Sequence, residues 1–105
     1  MVLEILFVLL DVERHGWDIV REIERRRDRR VRILPGNLYR SLREMLADGL
    51  IEESARRPDP ALDDERRCYY RVTKAGREVA RAEARRLEAV LSEARALRLL
   101  APRGR

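Results

Sequence analysis

Cysteine and histidine, two residue types that build metal sites and disulfides, occur once each among the 105 residues of this chain. The single cysteine, Cys68, cannot form an intramolecular disulfide, and a lone thiol is typical of a reducing compartment or of simple packing. His15 has no clustered partners, so no metal site is expected. We predict that the protein binds no metal and needs no cofactor.

Patterns that carry catalysis are missing as well. The sequence has no Ser-His-Asp order, no glycine loop that could cradle a phosphate and no nucleotide-binding fingerprint. Glu22 and Glu24 stand among arginines, and the spacing predicts ion pairs one helical turn apart rather than catalytic acids. We therefore predict that the protein is not an enzyme and has no catalytic residues.

Long apolar runs are also absent. The opening VLEILFVLL is interrupted by Glu4 and is too short to span a membrane. It lacks the basic leading segment and the small-residue cleavage site of a secretory signal. We interpret it as a core helix of a cytoplasmic protein that does not enter a membrane. Because the chain begins inside this helix, the sequence leaves open whether the native N-terminus is longer.

Charge, by contrast, is abundant: 41% of the residues are charged, and the formal net charge is +5. The length fits one domain, and this composition suits long solvated helices. A basic chain of this size is attracted to polyanions, with nucleic acid as the first candidate. However, the 24 basic residues are interspersed with 19 acidic ones. Their positions must therefore decide what they bind.

Helical periodicity predicts helices over residues 2–12 and roughly 16–28. A third helix starts at Pro35, which fits a first helical turn, and Gly49 closes it as a C-terminal cap. The residue types then change to those of a β-hairpin.

In this hairpin, the β-rich segments 50–57 and 66–73 flank a stretch with two prolines and three aspartates, which is typical of a loop. The simplest interpretation is a two-stranded hairpin with a loose tip. Thr73 is a good N-cap for a last helix over about residues 74–100.

The order of these elements, helix, helix, helix, hairpin, helix, is the plan of a winged helix-turn-helix, in which the third helix reads DNA and the hairpin is the wing. The predicted fold class is mainly α with a small β-hairpin (α+β). Many small α+β domains share this order, so the order alone is weak evidence. We predict a DNA-binding domain over residues 1–73, a dimerisation helix over 74–100 and a disordered tail over 101–105.

The outward face of the third helix and the hairpin carry candidates for contacts to DNA. An arginine can donate two hydrogen bonds to guanine, an asparagine can pair with adenine, and a glycine lets the backbone approach a phosphate. Paired arginines on both strands of the hairpin can grip phosphates beside a groove. The predicted DNA-binding residues are Pro35, Gly36, Asn37, Tyr39, Arg40, Ser41, Arg43, Arg56, Arg57, Arg66 and Arg67.

The alternative for both elements is an ordinary charged surface. The tip of the hairpin carries carboxylates that phosphate would repel. We therefore expect the base of the wing to touch DNA, while the tip points away or pairs with the arginines.

The last helix has an apolar stripe at heptad-like spacing. A helix this long cannot bury its apolar side fully on so small a core, so we predict that it pairs with a second copy. The predicted dimerisation residues of this helix are Ala80, Ala84, Leu87, Leu91 and Ala94, with Val90 and Leu97 beside them. The alternative is a protein-interaction module, in which the helix binds a different partner and the arginines only solubilise the chain.

Three blocks of the sequence resemble the signature blocks of the PadR family of transcriptional regulators: HGWDIVREIE, LPGNLYRSLREMLADGLIEE and RRCYYRVTKAGRE. The match runs in order over nearly the whole chain, and the single short C-terminal helix resembles the compact subgroup of the family. The resemblance implies a homodimer joined through the C-terminal helix, with the first helix contributing, here Leu3 and Phe7. It also implies a palindromic operator in double-stranded DNA and repression relieved by a small-molecule effector.

By residue, the resemblance matches Tyr39 to the family's tyrosine on the reading helix. The two tyrosines of the wing, Tyr69 and Tyr70, are expected mainly to pack in the core and the strand. His15 is interpreted as a residue at a helix junction. Trp17 is interpreted as a core anchor, with a position lining an effector pocket as the alternative.

Overall fold

The computed structural model describes residues 1–27, 32–54 and 68–102. Within these ranges the chain forms four helices and one three-stranded antiparallel sheet. In chain order the elements are α1 (Val2–Asp11), β1 (Arg14–His15), α2 (Gly16–Arg26), α3 (Pro35–Ala47), β2 (Ile51–Glu53), β3 (Tyr69–Val72) and α4 (Lys74–Ala96). The predicted fold class, mainly α with a small β component, is confirmed.

Helix α3 begins and ends where its own sequence dictates. Pro35 occupies the first turn, where the missing N–H costs nothing. Gly49 adopts a φ of +75°, a left-handed conformation that glycine tolerates well, and its N–H donates to the carbonyl oxygen of Leu46 at 3.1 Å. The N–H of Leu50 donates to the carbonyl oxygen of Met45 at 2.9 Å, which completes a Schellman cap. The predicted cap at Gly49 is confirmed.

Helix α4 ends at Ala96, one helical turn before the predicted end at Leu100. Arg98 adopts a φ of 61°, and the N–H of Leu99 donates to the carbonyl oxygen of Ala94 at 2.9 Å. This cap satisfies carbonyl groups of the last turn and directs the chain away from the helix axis. The sequence does not signal the cap, because its left-handed position is an arginine rather than a glycine.

The sheet contains a strand that the predicted two-stranded hairpin does not include. The central strand β3 pairs with β2 on one side and with β1 on the other. Arg14 lies opposite Tyr70, and His15 lies opposite Tyr69. A strand of two residues is stabilised by its partner rather than by its own residue pattern, so local periodicity does not reveal it.

The core lies between the first three helices and the sheet. Its fully buried side chains come from α1, α2, α3 and β2: Ile5, Leu6, Val8, Ile19, Ile23, Leu38, Leu42, Met45 and Ile51. The apolar stripes predicted for the first three helices therefore meet in one core. Because Leu38 and Leu42 are anchored there, the opposite face of α3 is held towards solvent.

The start of α4 is joined to the end of α3 through Thr73. The hydroxyl oxygen of Thr73 accepts from the N–H of Gly76 at 3.1 Å, which confirms the predicted N-cap. The N–H of Thr73 donates to the carbonyl oxygen of Leu50 at 3.1 Å. A Cβ atom at Gly76 would overlap that carbonyl oxygen, so glycine is what allows the two segments to approach this closely. These contacts fix the direction in which α4 leaves the domain.

Candidate nucleic-acid interface

The exposed face of α3 is the main candidate site. Its opposite side is held in the core by Leu38, Leu42 and Met45. Most of the predicted DNA-binding residues of this helix are exposed: Pro35, Gly36, Asn37, Arg40 and Arg43. Tyr39 and Ser41 are half-buried. The N-terminal half of α3 thus presents an amide and a guanidinium group to solvent.

Asn37 and Arg40 lie side by side on this face. Arg40 Nη2 donates to Asn37 Oδ1 at 3.1 Å. The hydrogen bond holds both side chains together, and it leaves the amide N–H groups of Asn37 and further N–H groups of Arg40 available. Such a pair can donate to acceptors on the edges of bases.

Two further arginines add positive charge near α3. Arg32 and Arg43 are exposed, and neither forms an ion pair with any residue in ranges 1–27, 32–54 and 68–102. Sequence reasoning did not select Arg32, because the segment before α3 has no periodic pattern that would place it on a surface. These arginines have no paired carboxylate among the described residues, while the exposed Glu44, four residues after Arg40, adds one negative charge to the same face of α3.

Tyr39 has a packing role in addition to any contact with a ligand. The hydroxyl end of its ring lies over Gly16 at the start of α2. The ring also packs against the buried core cluster. Tyr39 thus sets the spacing between α2 and α3, and only part of its ring is exposed.

Glu24 positions the segment that leads into α3. Glu24 Oε2 accepts from the backbone N–H of Ile33 at 2.9 Å. The predicted ion pair with an arginine is not found for Glu24 within the described residues. The sequence carries no signal for this bond, because its two partners are nine residues apart and belong to different elements.

Glu22 behaves as predicted and forms ion pairs with its neighbours on α2. Its carboxylate lies 2.6 Å from Arg25 Nη2 and 2.7 Å from Arg26 Nε. The hydrogen bond from Arg25, followed by the one from Arg26, lowers the pKa of Glu22 to about 2. Arg26 also lies 2.9 Å from Asp11 of α1. This flank of α2 is therefore tied to α1 and its charges are largely compensated.

The base of the sheet is tied to the same two helices. His15 Nδ1 accepts from the N–H of Asp18 at 3.2 Å and so caps α2, which confirms its predicted place at a helix junction. The ring of His15 lies edge-on to Tyr69, with centroids 5.5 Å apart. Burial raises the pKa of Tyr70, and Cys68, Glu53 and Tyr39 raise it further, so its phenol is neutral in ordinary buffers.

The predicted arginines of the wing lie outside the described residues: Arg56, Arg57, Arg66 and Arg67. On the part of the sheet that is described, Arg71 Nε lies 2.8 Å from Glu52 Oε1. This cross-strand pair compensates the charge of Arg71 on the exposed side of the sheet.

The interpretation of Trp17 as a core anchor is wrong. Its side chain is 54% exposed, whereas Ile19, Val20 and Ile23 of the same helix are buried. The periodic pattern could not separate them, because Trp17 lies in the first turn at the margin of the apolar stripe. An aromatic ring is thus left on the surface beside the contact between Gly16 and Tyr39.

The family of the chain follows from comparison with known proteins. The model of the family described as "Transcriptional regulator PadR-like family" matches residues 5–82. The chain belongs to the PadR-like family. The transcriptional regulator Rv3488 of Mycobacterium tuberculosis is 35% identical to this chain over 91 residues, which span 87% of this chain and 78% of that protein. The resemblance seen in the three sequence blocks is thereby confirmed. Because the family is one of transcriptional regulators, which are not enzymes, the prediction that the chain is not an enzyme is confirmed too.

Solved structures show the same fold. The PadR-like transcriptional regulator of Bacillus cereus has a TM-score of 0.73 at 23% identity, and the match covers 99% of this chain and 94% of that one. Bacillus subtilis PadR, solved in complex with operator DNA, has a TM-score of 0.65 at 17% identity, covering 79% of this chain and 46% of that one. At these identities the likeness concerns the fold alone.

In this PadR-like chain the predicted dimerisation residues lie in different environments. Phe7 (38% exposed) and Leu91 (43% exposed) line a groove of about 300 Å³ between α1 and α4, together with Ala84 and Leu87. Of the others, Val90 and Leu97 are exposed, Leu3 and Ala94 are half-buried, and Ala80 is buried in the core of the chain. Arg95 Nε is buried at the same groove and has no hydrogen-bond partner within the described residues. Glu88 lines the groove as well, which thus combines apolar side chains with charged ones.

Two other findings concern sites outside this surface. In the described part of the chain, no helix combines the length and the apolar character needed to cross a membrane. The same ranges hold no group of three or more histidine, cysteine, aspartate or glutamate side chains that could bind a metal ion.

Proposed function

We propose that this PadR-like protein is a sequence-specific repressor that binds double-stranded operator DNA as a homodimer. The observation that carries the proposal is the exposed pair formed by Asn37 and Arg40 on α3. The pair is held outward by Leu38 and Leu42, and no described residue covers it. In a winged helix-turn-helix, this N-terminal half of the third helix is the part that enters the major groove.

The roles of the residues follow from their chemistry. Asn37 and Arg40 donate to base edges and select the sequence. Gly36 allows the backbone of the first turn to approach a phosphate, and the exposed Arg43 binds a second one. The wing arginines at positions 56, 57, 66 and 67 bind further phosphates from the base of the wing.

The dimer is proposed to form through the face of α4 that includes Leu87 and Leu91, with Leu3 and Phe7 of α1 at its edge. Two-fold symmetry then repeats α3 about 34 Å away, one turn of DNA, so the operator is palindromic. In this proposal residues 1–73 bind DNA, residues 74–100 pair the two copies, and residues 101–105 form a tail. A small-molecule effector that alters the pairing releases the operator, and the protein acts in the cytoplasm.

The test begins with selection of bound sequences from a random duplex library and continues with affinity measurements on the selected operator. The variant Asn37→Ala/Arg40→Ala should lose about 30-fold or more in specific affinity, because each good base contact contributes about 1–3 kcal/mol. It should keep its oligomeric state in light scattering. Arg85→Ala makes the same change of charge on the exposed face of α4 that points away from Leu87 and Leu91, and it should leave the affinity unchanged.

Two results would contradict the proposal. If the double variant bound the selected operator as tightly as the native chain, α3 would not be the reading helix. If the native chain were a monomer and failed to shift any duplex at low salt, the protein-interaction module would replace the repressor.

A further inference from the structure

The two flanks of α2 differ in their chemistry. On one flank Glu22 binds Arg25 and Arg26, and Arg26 continues to Asp11 of α1. The other flank carries Trp17, Arg21 and Glu24, which follow one another at i, i+4 and i+7 and so form one stripe. The side chains of the first flank make contacts within the domain, whereas Trp17 and Arg21 on the second flank are exposed.

The stripe formed by Trp17, Arg21 and Glu24 lies next to α3. At its C-terminal end, Glu24 accepts from the N–H of Ile33, just before α3. At its N-terminal end, Gly16, the residue before Trp17, touches the ring of Tyr39 on α3. Trp17 and Arg21 therefore lie beside the N-terminal half of α3, on the surface that carries the proposed reading residues.

The stripe carries one guanidinium group, that of Arg21, and one carboxylate, that of Glu24. Arg21 is exposed and forms no ion pair with the residues that the structure describes. The nearby carboxylates are engaged elsewhere, Asp18 with His15 Nε2 at 3.3 Å and Glu24 with the backbone of Ile33. Asp18 and Glu24 keep their negative charges in these contacts, so an anion is attracted only at the guanidinium group of Arg21 and the indole N–H of Trp17.

We infer that Trp17 and Arg21 form a contact for the DNA backbone next to the groove that α3 enters. The first helix of a helix-turn-helix crosses the backbone, and phosphates receive about half or more of all protein–DNA hydrogen bonds. The indole Nε1–H donates to one phosphate while its ring packs on the adjoining sugar, and Arg21 pairs with the next phosphate. This inference rests on the proposed DNA binding, and it assigns a contact that carries no sequence information.

Because Trp17 is the only tryptophan of the chain, its fluorescence reports on this contact directly. The probe is a mixed-sequence duplex of about 30 base pairs, three turns of DNA, added at low salt to the full-length protein. Saturation with the duplex should change the indole emission and protect it from acrylamide, a neutral quencher.

Substitutions give a second readout. Trp17→Ala should weaken binding to any duplex about tenfold or more, because it removes one hydrogen bond to a charged group and the packing of the ring. Trp17→Phe, which lacks the N–H, should recover only the packing. Arg21→Gln should reduce the slope of log affinity against log salt by about one, because one fewer counterion is released. The matched controls are Val12→Ala, an exposed apolar residue at the end of α1, and Arg85→Gln on the exposed face of α4; both should behave like the native chain.

The outcomes separate the two proposals. Suppose that the duplex binds, that the emission and quenching of the native chain do not change on binding, and that Trp17→Ala binds as tightly as the native chain. The backbone contact is then refuted, and the proposed role of α3 stands. An emission that changes with protein concentration in the absence of DNA would place Trp17 at a protein interface and refute the contact as well. Failure of the native chain to bind any duplex at low salt overturns both proposals.

Discussion

The phenol ring of Tyr39 rests on Gly16, where a Cβ atom would come within 2.9 Å of Tyr39 Cε1 and 3.0 Å of its hydroxyl oxygen. The first turn of α2 and the second turn of α3 therefore touch through a residue without a side chain. Tyr39 lies on α3 between Asn37 and Arg40, so the contact is made beside the exposed pair.

Replacement of Gly16 by alanine tests this contact. The methyl group should push the tip of the Tyr39 ring aside, at a cost of about 1 kcal/mol, the low end of overpacking, because a ring tip can rotate away. Operator affinity should fall because the ring of Tyr39, one of the predicted DNA-binding residues, is displaced. In the background Tyr39→Ala, which opens the space, Gly16→Ala should cause no further loss of stability in thermal unfolding. A full additional loss there would show that Gly16 is constrained by something other than Tyr39.

A second glycine should respond far more strongly. Gly76→Ala places a methyl group onto the backbone carbonyl of Leu50, which cannot rotate away. We expect a loss of about 3 kcal/mol in the free energy of unfolding, measured with urea. Gly36→Ala is the matched control, because a Cβ atom there meets nothing within 4 Å, and it should be neutral or slightly stabilising. If Gly76→Ala and Gly36→Ala changed the free energy of unfolding equally, a clash between the new methyl group at position 76 and the Leu50 carbonyl would be ruled out.

The ion pairs of Glu22 predict a dependence of stability on pH. Its pKa is lowered from 4.5 in the unfolded chain to about 2, so its contribution is present in full above pH 4.5 and is lost as the pH falls through 2. Glu22→Gln should therefore unfold at a lower temperature than the native chain at pH 7, with a gap that narrows below pH 4.5. Glu44→Gln, at an exposed carboxylate of α3, supplies the baseline. If the difference in unfolding temperature between Glu22→Gln and the native chain stayed constant down to pH 2, the lowered pKa of Glu22 would be contradicted.

The apolar face of α4 predicts the oligomeric state. Leu87→Glu with Leu91→Glu places two charges on the groove that Phe7 also lines, and the proposed dimer should dissociate. The control Ala82→Glu with Ala89→Glu adds the same charge on the opposite, exposed face of the helix and should remain dimeric. The measurement is sedimentation or light scattering, with circular dichroism to confirm folding. A folded dimer in the leucine variant would place the interface elsewhere.

Local signals account for the parts of the fold that the sequence predicted well. Pro35, Gly49 and Thr73 act within one or two turns of their own position, so each cap could be assigned from residue type alone. The outward placement of Asn37 and Arg40 follows from the same periodicity that buries Leu42 and its neighbours.

Contacts between distant segments account for what the sequence did not reveal. Strand β1 depends on its pairing with β3, and the bond from Ile33 to Glu24 joins two elements that residue patterns treat separately. Trp17 shows a related limit: its residue type predicts burial, but its position at the margin of the apolar stripe of α2 leaves it 54% exposed.

The attachment of α4 at Thr73 has a mechanical consequence. The helix has 23 residues, so it is about 35 Å long. Its N-terminus is fixed to the segment after α3 by the hydrogen bond between Thr73 and Leu50. A tilt of about 5° at one end displaces the other end by about 3 Å over this length. In the proposed dimer, a ligand that changes the crossing angle of the two paired α4 helices by a few degrees therefore changes the distance between the two copies of α3 by several ångströms.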